Sequence, residues 1–365
     1  MIDNKRQQSG DNSTQIIAQN ITIGIDEKRA REIYDEKYEI AKAQLTSEAI
    51  EIANSRIREF EDKLVSKMKK IDGALQTFAD PSTQLLIIEA QKSAAQSERK
   101  SDYELLSELL VHKHLNRSNR ETISGINRAV KIVHEISSEA LLALTVIHLI
   151  ERISPVTGDP VGGIEVLNTI FSKIIDSNLP VGAEWIEHAE LLRAIRIIPF
   201  QSGPAPLAEV FKKKFNGYVC VGIKLNSSEH EKAISLIDTN NIPPDVLVEN
   251  ILNPGYVRLN IPNIHNINDI VITRFEYGRL SNEPLSESQR AALNEVFSLY
   301  NNDAAAVESS VKAFTEEWNK KPALKTISEW WPSINVGFGF TKVGTVLSHA
   351  NAQRCENLIP NLPST

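Results

Sequence analysis

Between Asp26 and about Ala74 the chain repeats apolar residues at spacings of three and four: Tyr34, Tyr38, Ala41 and Leu45, then Ala53, Ile57, Phe60, Leu64, Met68 and Ile71. Glu and Lys fill most of the positions between, so the pattern predicts one long amphipathic helix. Unbroken, it extends roughly 70 Å at about 1.5 Å per residue, more than a small domain is wide. Its stripe therefore needs cover along its length, from its own domain or from another copy. Leu45-Thr46-Ser47-Glu48 interrupts the register and offers cap residues, so two stacked helices are an alternative. The heptad pattern lapses in the middle, which favours packing on the chain's own domain over a continuous coiled coil.

Ahead of this helix a polar lead, Gln7 to Thr14, runs into Gln15-Ile16-Ile17-Ala18-Gln19-Asn20-Ile21-Thr22-Ile23. The segment is rich in β-branched residues and far from any other strand-like run, so its backbone must pair with something distant or with another chain. Gln15, Ile17, Gln19, Ile21 and Ile23 share one face at period two. Together with Tyr34, Tyr38 and Leu45 they form the expected assembly interface of a homo-oligomer.

The 365 residues are 41% hydrophobic and 24% charged, the composition of a folded chain with two or three domains. A net charge of −7 disfavours a protein wrapped along its length by nucleic acid. Cys220 and Cys355 stand far apart without CxxC or Cys/His spacing, excluding a disulfide framework or a zinc finger and fitting a reducing cytoplasm. The start has no apolar core of a secretory signal, and Ala140–Ile150 is too short for a bilayer and reads as a core helix. No membrane association is expected.

Helix starts are marked by Asp80-Pro81 and by capping boxes at Ser101/Glu104, Ser118/Glu121, Ser228/Glu231, Ser286/Gln289 and Thr326/Glu329. Helical stretches are also expected around 164–177 and 185–197. After the Pro/Gly-rich junction 199–206, strand-like runs appear at 217–225, 256–261 and 267–275, and a strand-to-helix unit at 335–344. The fold class is therefore mainly α (α+β). The expected division is a lead and strand over 1–25, the long helix over 26–79, a helical domain over 80–200, a small α+β module over 205–282, and a C-terminal helical region over 283–365.

Chemical motifs are sparse. Gly337-Phe338-Gly339 lacks the third glycine of a dinucleotide loop, Lys342 standing in its place, and no P-loop pattern occurs. His112-Lys113-His114 could bring two imidazoles near a metal, with Arg117 and Arg120 to neutralise phosphate as in a metal-dependent hydrolase, but residues two apart on a helix point in different directions, so the stretch reads as a solvated helix end. His134, His148 and His188 read as hydrogen-bonded helix residues, Cys220 as an inert core thiol, and Cys355 beside Arg354 as the candidate for reactivity. No catalytic, cofactor or metal residue is assigned. Lys212, Lys213 and Lys214 are the candidate contacts of a nucleic-acid reader, and Lys320, Lys321 and Lys325 lie near Trp318, Trp330 and Trp331, which read equally as core anchors. Asp238, Asp245, Glu249, Asp269 and Glu276 would supply the carboxylates of a metal-dependent nuclease or phosphohydrolase in the 205–282 module.

Three stretches carry a resemblance. Gln8-Ser9-Gly10-Asp11-Asn12-Ser13-Thr14-Gln15, then 101–110 with Ile126-Asn127-Arg128-Ala129-Val130, and the ending 340–354 with its Thr-x-Val-Gly-x-x-Leu-x-His-Ala-Asn-Ala-x-Arg pattern resemble a family of uncharacterised bacterial proteins. The resemblance spans the chain and brings no assigned activity. Starts of the Gly-Asp-Asn-Ser type are similar to those of bacterial conflict and phage-defence proteins, which implies a defence context. The expectation is a non-catalytic, self-assembling protein working through protein contacts, with a partner from the same operon or a phage. The nuclease and the nucleic-acid reader are the alternatives.

Overall fold

A computed structural model describes residues 27–71, 73–74, 78–276 and 279–362. The strand expected at Gln15, Ile17, Gln19, Ile21 and Ile23 lies outside the described residues. The chain divides into two compact units, residues 1–55 and 56–365. The described part of the first is the opening stretch of α1 (Glu27–Met68), a single helix of 42 residues. Thr46 does not break it, because its hydroxyl donates to the carbonyl of Lys42 at 2.7 Å, satisfying in place the group that would otherwise cap a new helix. On this stretch Tyr34, Tyr38 and Leu45 are exposed.

In the second unit the stripe goes under: Phe60, Leu64 and Met68 are buried in the main core, with ion pairs from Lys63 to Glu104 and from Lys67 to Glu108 beside them. That core is built by α2 (Pro81–Gln96), α3 (Lys100–Leu115), α4 (Arg120–Ile132), α5 (Ser138–Arg152), α6 (Pro160–Ile174) and α7 (Glu184–Leu191), joined by helices from the far end of the chain. After β1 (Ile195–Ile197) and α8 (Leu207–Lys214), the α+β portion runs through β2 (Ile223–Lys224), α9 (Ser228–Thr239), β3 (Leu247–Glu249) and β4 (Tyr256–Leu259). It continues with the hairpin of β5 (Val271–Glu276) and β6 (Arg279–Pro284), then α10 (Glu287–Ser298). The chain then returns to the main core with α11 (Ala304–Asn319), α12 (Pro322–Trp330), β7 (Phe338–Phe340) and α13 (Lys342–Cys355). The fold is mainly helical with small antiparallel sheets: β1 with β7, β2-β4-β3, and β5 with β6.

The last helix is the central one. α13 packs on α3, α4 and α5, and every residue from Val346 to Ala352 is buried, as expected of a helix surrounded on all sides. A second core gathers Ile223, Val257, Leu259, Ile267 and Leu285 with Leu293 and Val296 of α10 and Tyr300 just beyond its end. Buried Arg258 ties the two together: its guanidinium donates to the carbonyls of Leu259 at 2.9 Å and Gly158 at 2.6 Å, and lies over the Tyr218 ring. No described helix is long and apolar enough to cross a membrane.

Several starts are displaced from their sequence signals. Asp80 and Ser286 cap as expected, the latter with both halves of its box formed. The caps of α4 and α9 are Asn119 and Ser227, one residue from the expected serines. Ser101 lies inside α3, and Thr326 lies inside α12, where Pro322 at the first turn had already begun the helix. The helix expected over 185–197 ends at Leu191, because Arg193 takes a left-handed φ of 59° and turns the chain into β1.

Candidate functional site

The turn at Arg193 and the start of α13 are locked together. Ala194 N–H donates to Ala189 O at 2.9 Å and Arg193 N–H to Glu190 O at 2.8 Å, the paired bonds of a helix end whose left-handed position normally holds glycine or asparagine. Here it holds arginine. The β1–β7 pairing then delivers Thr341, whose N–H donates to Ala194 O at 3.0 Å and whose hydroxyl donates to Arg193 O at 2.7 Å while accepting from Gly344 N–H at 3.2 Å as the cap of α13. Close approach needs two glycines: a Cβ on Gly344 would stand 2.0 Å from Ala194 O, and one on Gly125 would stand 3.0 Å from Lys342 O.

Between these elements lies an open cleft of about 860 Å³. Arg120, Ser124 and Arg128 enter it from one face of α4 at spacings of four, Arg193 and Arg196 from the β1 side, and Lys342 from the first turn of α13. Five cations thus face two carboxylates, Glu121 and Glu190, and the Glu190 carboxylate already accepts from Ile197 N–H at 2.8 Å. All five cations are exposed, and none is in an ion pair with a described residue. Such an arrangement attracts anions, and the amide end of α13 adds to the positive potential.

A second pocket of about 390 Å³ adjoins it, sharing Thr341 and Lys342 and deeper in the fold. Its wall contains His148 and His349, each 2% exposed, with Nε2 of His148 3.2 Å from Nδ1 of His349 and Nε2 of His349 2.9 Å from Pro360 O. A carbonyl only accepts, so His349 carries its proton on Nε2, its Nδ1 accepts, and His148 donates from Nε2. Nδ1 of His148 is left as a lone-pair acceptor with no partner among the described residues. Burial pushes both rings toward neutrality, His148 down to about 3 with help from His349, Arg152 and Lys214, and His349 down to about 4 with help from His112. Phe340, Ile153, Val346 and Leu362 supply the apolar wall, and Arg152, Thr345 and Asn361 polar groups.

Of the residues singled out from sequence, His148 lies in the second pocket and Arg120 and Lys342 in the cleft, while the remaining candidates line neither. Lys212 pairs with Glu209 at 2.9 Å and Glu308 at 3.0 Å, Lys213 is exposed, and Lys214 buries its Nζ without a hydrogen-bond partner among the described residues, burial lowering it to about 7 against the opposing pull of Glu151. Lys320, Lys321 and Lys325 pair with Glu317, Glu165 and Glu329. Trp318, Trp330 and Trp331 are buried with their indole N–H groups on carbonyls, so no base can stack on them. His112 and Lys113 are buried, contrary to a solvated helix end: His112 donates to Gln353 and Lys113 to Ser82 O at 2.7 Å. His134 contacts Ser93, and His188 accepts from Ser137 N–H. Burial raises both thiols, Cys220 to about 12, and Cys355 although Arg354 stands beside it. Asp238, Asp245 and Glu249 sit on α9, a 3-10 turn and β3, and no described residues form a group of three metal-holding side chains. The side chains of Asp269 and Glu276 lie outside the described residues. Sequence reasoning reaches Arg120 alone among the cleft cations, as a phosphate contact beside Arg117; the rest carry no local signal, because the α4 face meets residues about seventy and two hundred positions away.

The chain belongs to an uncharacterised family whose model, described as ":-like", matches residues 24–362. No curated protein and no solved structure matches the chain.

Proposed function

We propose that this member of the family is a cytoplasmic, non-catalytic binding protein that holds a phosphate-bearing small molecule in the cleft between α4, β1 and α13 and works through contacts with other protein chains. The observation that carries the reading is the set of five exposed cations without ion-pair partners among the described residues, Arg120, Arg128, Arg193, Arg196 and Lys342, around one concavity. Its volume of about 860 Å³ falls in the range of small-ligand sites, roughly 300–1,000 Å³. A nucleic-acid path is less well supported, since the chain carries −7 and the lysine runs outside the cleft are largely paired or buried. Isothermal calorimetry with inorganic triphosphate tests it. Binding should weaken with salt and at least about tenfold in Arg128→Glu. Absence of binding overturns the reading, tighter binding of a single-stranded oligonucleotide selects the nucleic-acid reader, and steady release of phosphate makes the protein an enzyme.

A separate observation favours self-assembly. The apolar stripe of α1 is buried at Phe60, Leu64 and Met68 but exposed at Tyr34, Tyr38 and Leu45, and the exposed stretch keeps the three-and-four spacing that another copy of the same helix matches in a short coiled coil. A role in bacterial defence is proposed from the Gly10-Asp11-Asn12-Ser13 start. Unchanged phage plating on cells that produce the chain would remove that part.

A further inference from the structure

We infer that the phosphate-bearing ligand is a nucleotide, its phosphates in the cationic cleft and its base in the adjoining histidine-walled pocket; this deepens the reading above and rests on it. The two concavities meet at Thr341 and Lys342 and differ in chemistry as the two ends of a nucleotide do. One is open and cationic. The other, about 390 Å³, is walled by Phe340 and aliphatic side chains, with a few polar groups that a flat heteroaromatic edge can address. The most telling of these is His148: 2% exposed, fixed by the chain of bonds through His349 to Pro360 O, and left with an Nδ1 lone pair that no described residue engages. With no described protein donor on it, that lone pair is open to a ligand N–H. The Asn361 side chain adds an amide donor, and its Oδ1, which accepts from Gln353 Nε2 at 3.4 Å, keeps a second lone pair, so it can address the mixed edge of a nucleobase. A phosphate alone would leave this pocket unused, and an apolar molecule would leave His148 unsatisfied.

Calorimetry on the full chain with ATP, GTP, CTP, UTP and inorganic triphosphate separates the two claims. At least one nucleotide should bind about tenfold or more tightly than triphosphate. Thr345→Phe, which fills the base pocket from a partly exposed position, should bring that ratio close to one while leaving triphosphate affinity within about twofold. Asn361→Ala, in the C-terminal segment, should lower the ratio and is a milder change should Thr345→Phe fail to fold. Triphosphate binding with no nucleotide binding better overturns the inference and leaves the cleft reading standing. A nucleotide preference that survives both variants overturns it as well, and binding of neither class overturns both claims.

Discussion

At the level of single residues, Arg193 shows a conflict between backbone and side chain. A left-handed φ of 59° costs an L-residue about 1–2 kcal/mol, and the bonding of Arg193 and Ala194 to the end of α7 is the kind that glycine completes most easily. An arginine held there against its backbone preference fits the binding role proposed for its guanidinium in the cleft. Arg193→Gly should therefore leave stability unchanged or raise it by up to about 1 kcal/mol, measured by urea denaturation, while weakening triphosphate binding severalfold. A loss above about 1 kcal/mol would mark the side chain as structural instead. Unaltered binding would remove Arg193 from the site. Glycine or asparagine at this position would have signalled a helix end in the sequence; arginine inside a run of helix formers signalled a continuing helix, and the expected helix over 185–197 ran too far for that reason.

Among the elements, the long helix was legible from its spacings of three and four on either side of the interruption at 45–48, which left one helix or two open, and Asp80-Pro81 and Ser286 were legible because their caps are local. Caps slipped where two candidates adjoin, as at Ser118–Asn119 and Ser227–Ser228, since either side chain reaches a first-turn amide. What periodicity did not reveal is where the α1 stripe changes from buried to exposed. That break yields a test at the same scale. Tyr38→Glu with Leu45→Glu puts charge into the exposed half without touching Phe60, Leu64 or Met68, so folding should persist while the mass seen by light scattering falls to that of one chain. A chain lacking residues 1–24 should also lose mass if the Gln15–Ile23 segment contributes. An intact protein that is already monomeric would sink the assembly proposal.

Over the whole molecule, two cores interleave in sequence, because α10 packs with the strands of the second while α8, α11, α12 and α13 pack with α2 to α7 in the first. Hydrophobic patterning says that a segment is buried but not with which partner, which is why the central position of α13 and the meeting of His148 with His349 were not readable from the chain. That meeting also sets the response to acid. His148 is held at about 3 and His349 at about 4, against an ordinary 6.5, chiefly by burial, with His112, Arg152 and Lys214 as the charged or titratable neighbours that depress them further. Between about pH 6.5 and 4 the unfolded chain therefore binds protons on these rings that the folded chain refuses, so stability present above pH 6.5 is lost as pH falls, by up to about 1.4 kcal/mol per pH unit for each ring. His148→Gln with His349→Gln removes both titrations and keeps polar groups in the pocket. Urea denaturation at about pH 7 and about pH 4.5 should show a fall in stability in the natural chain that is smaller by a few kcal/mol in the double variant, the carboxylates contributing alike to both. Equal falls would mean that the two rings take up protons in the folded protein, and that the neutral acceptor assigned to His148 is not there.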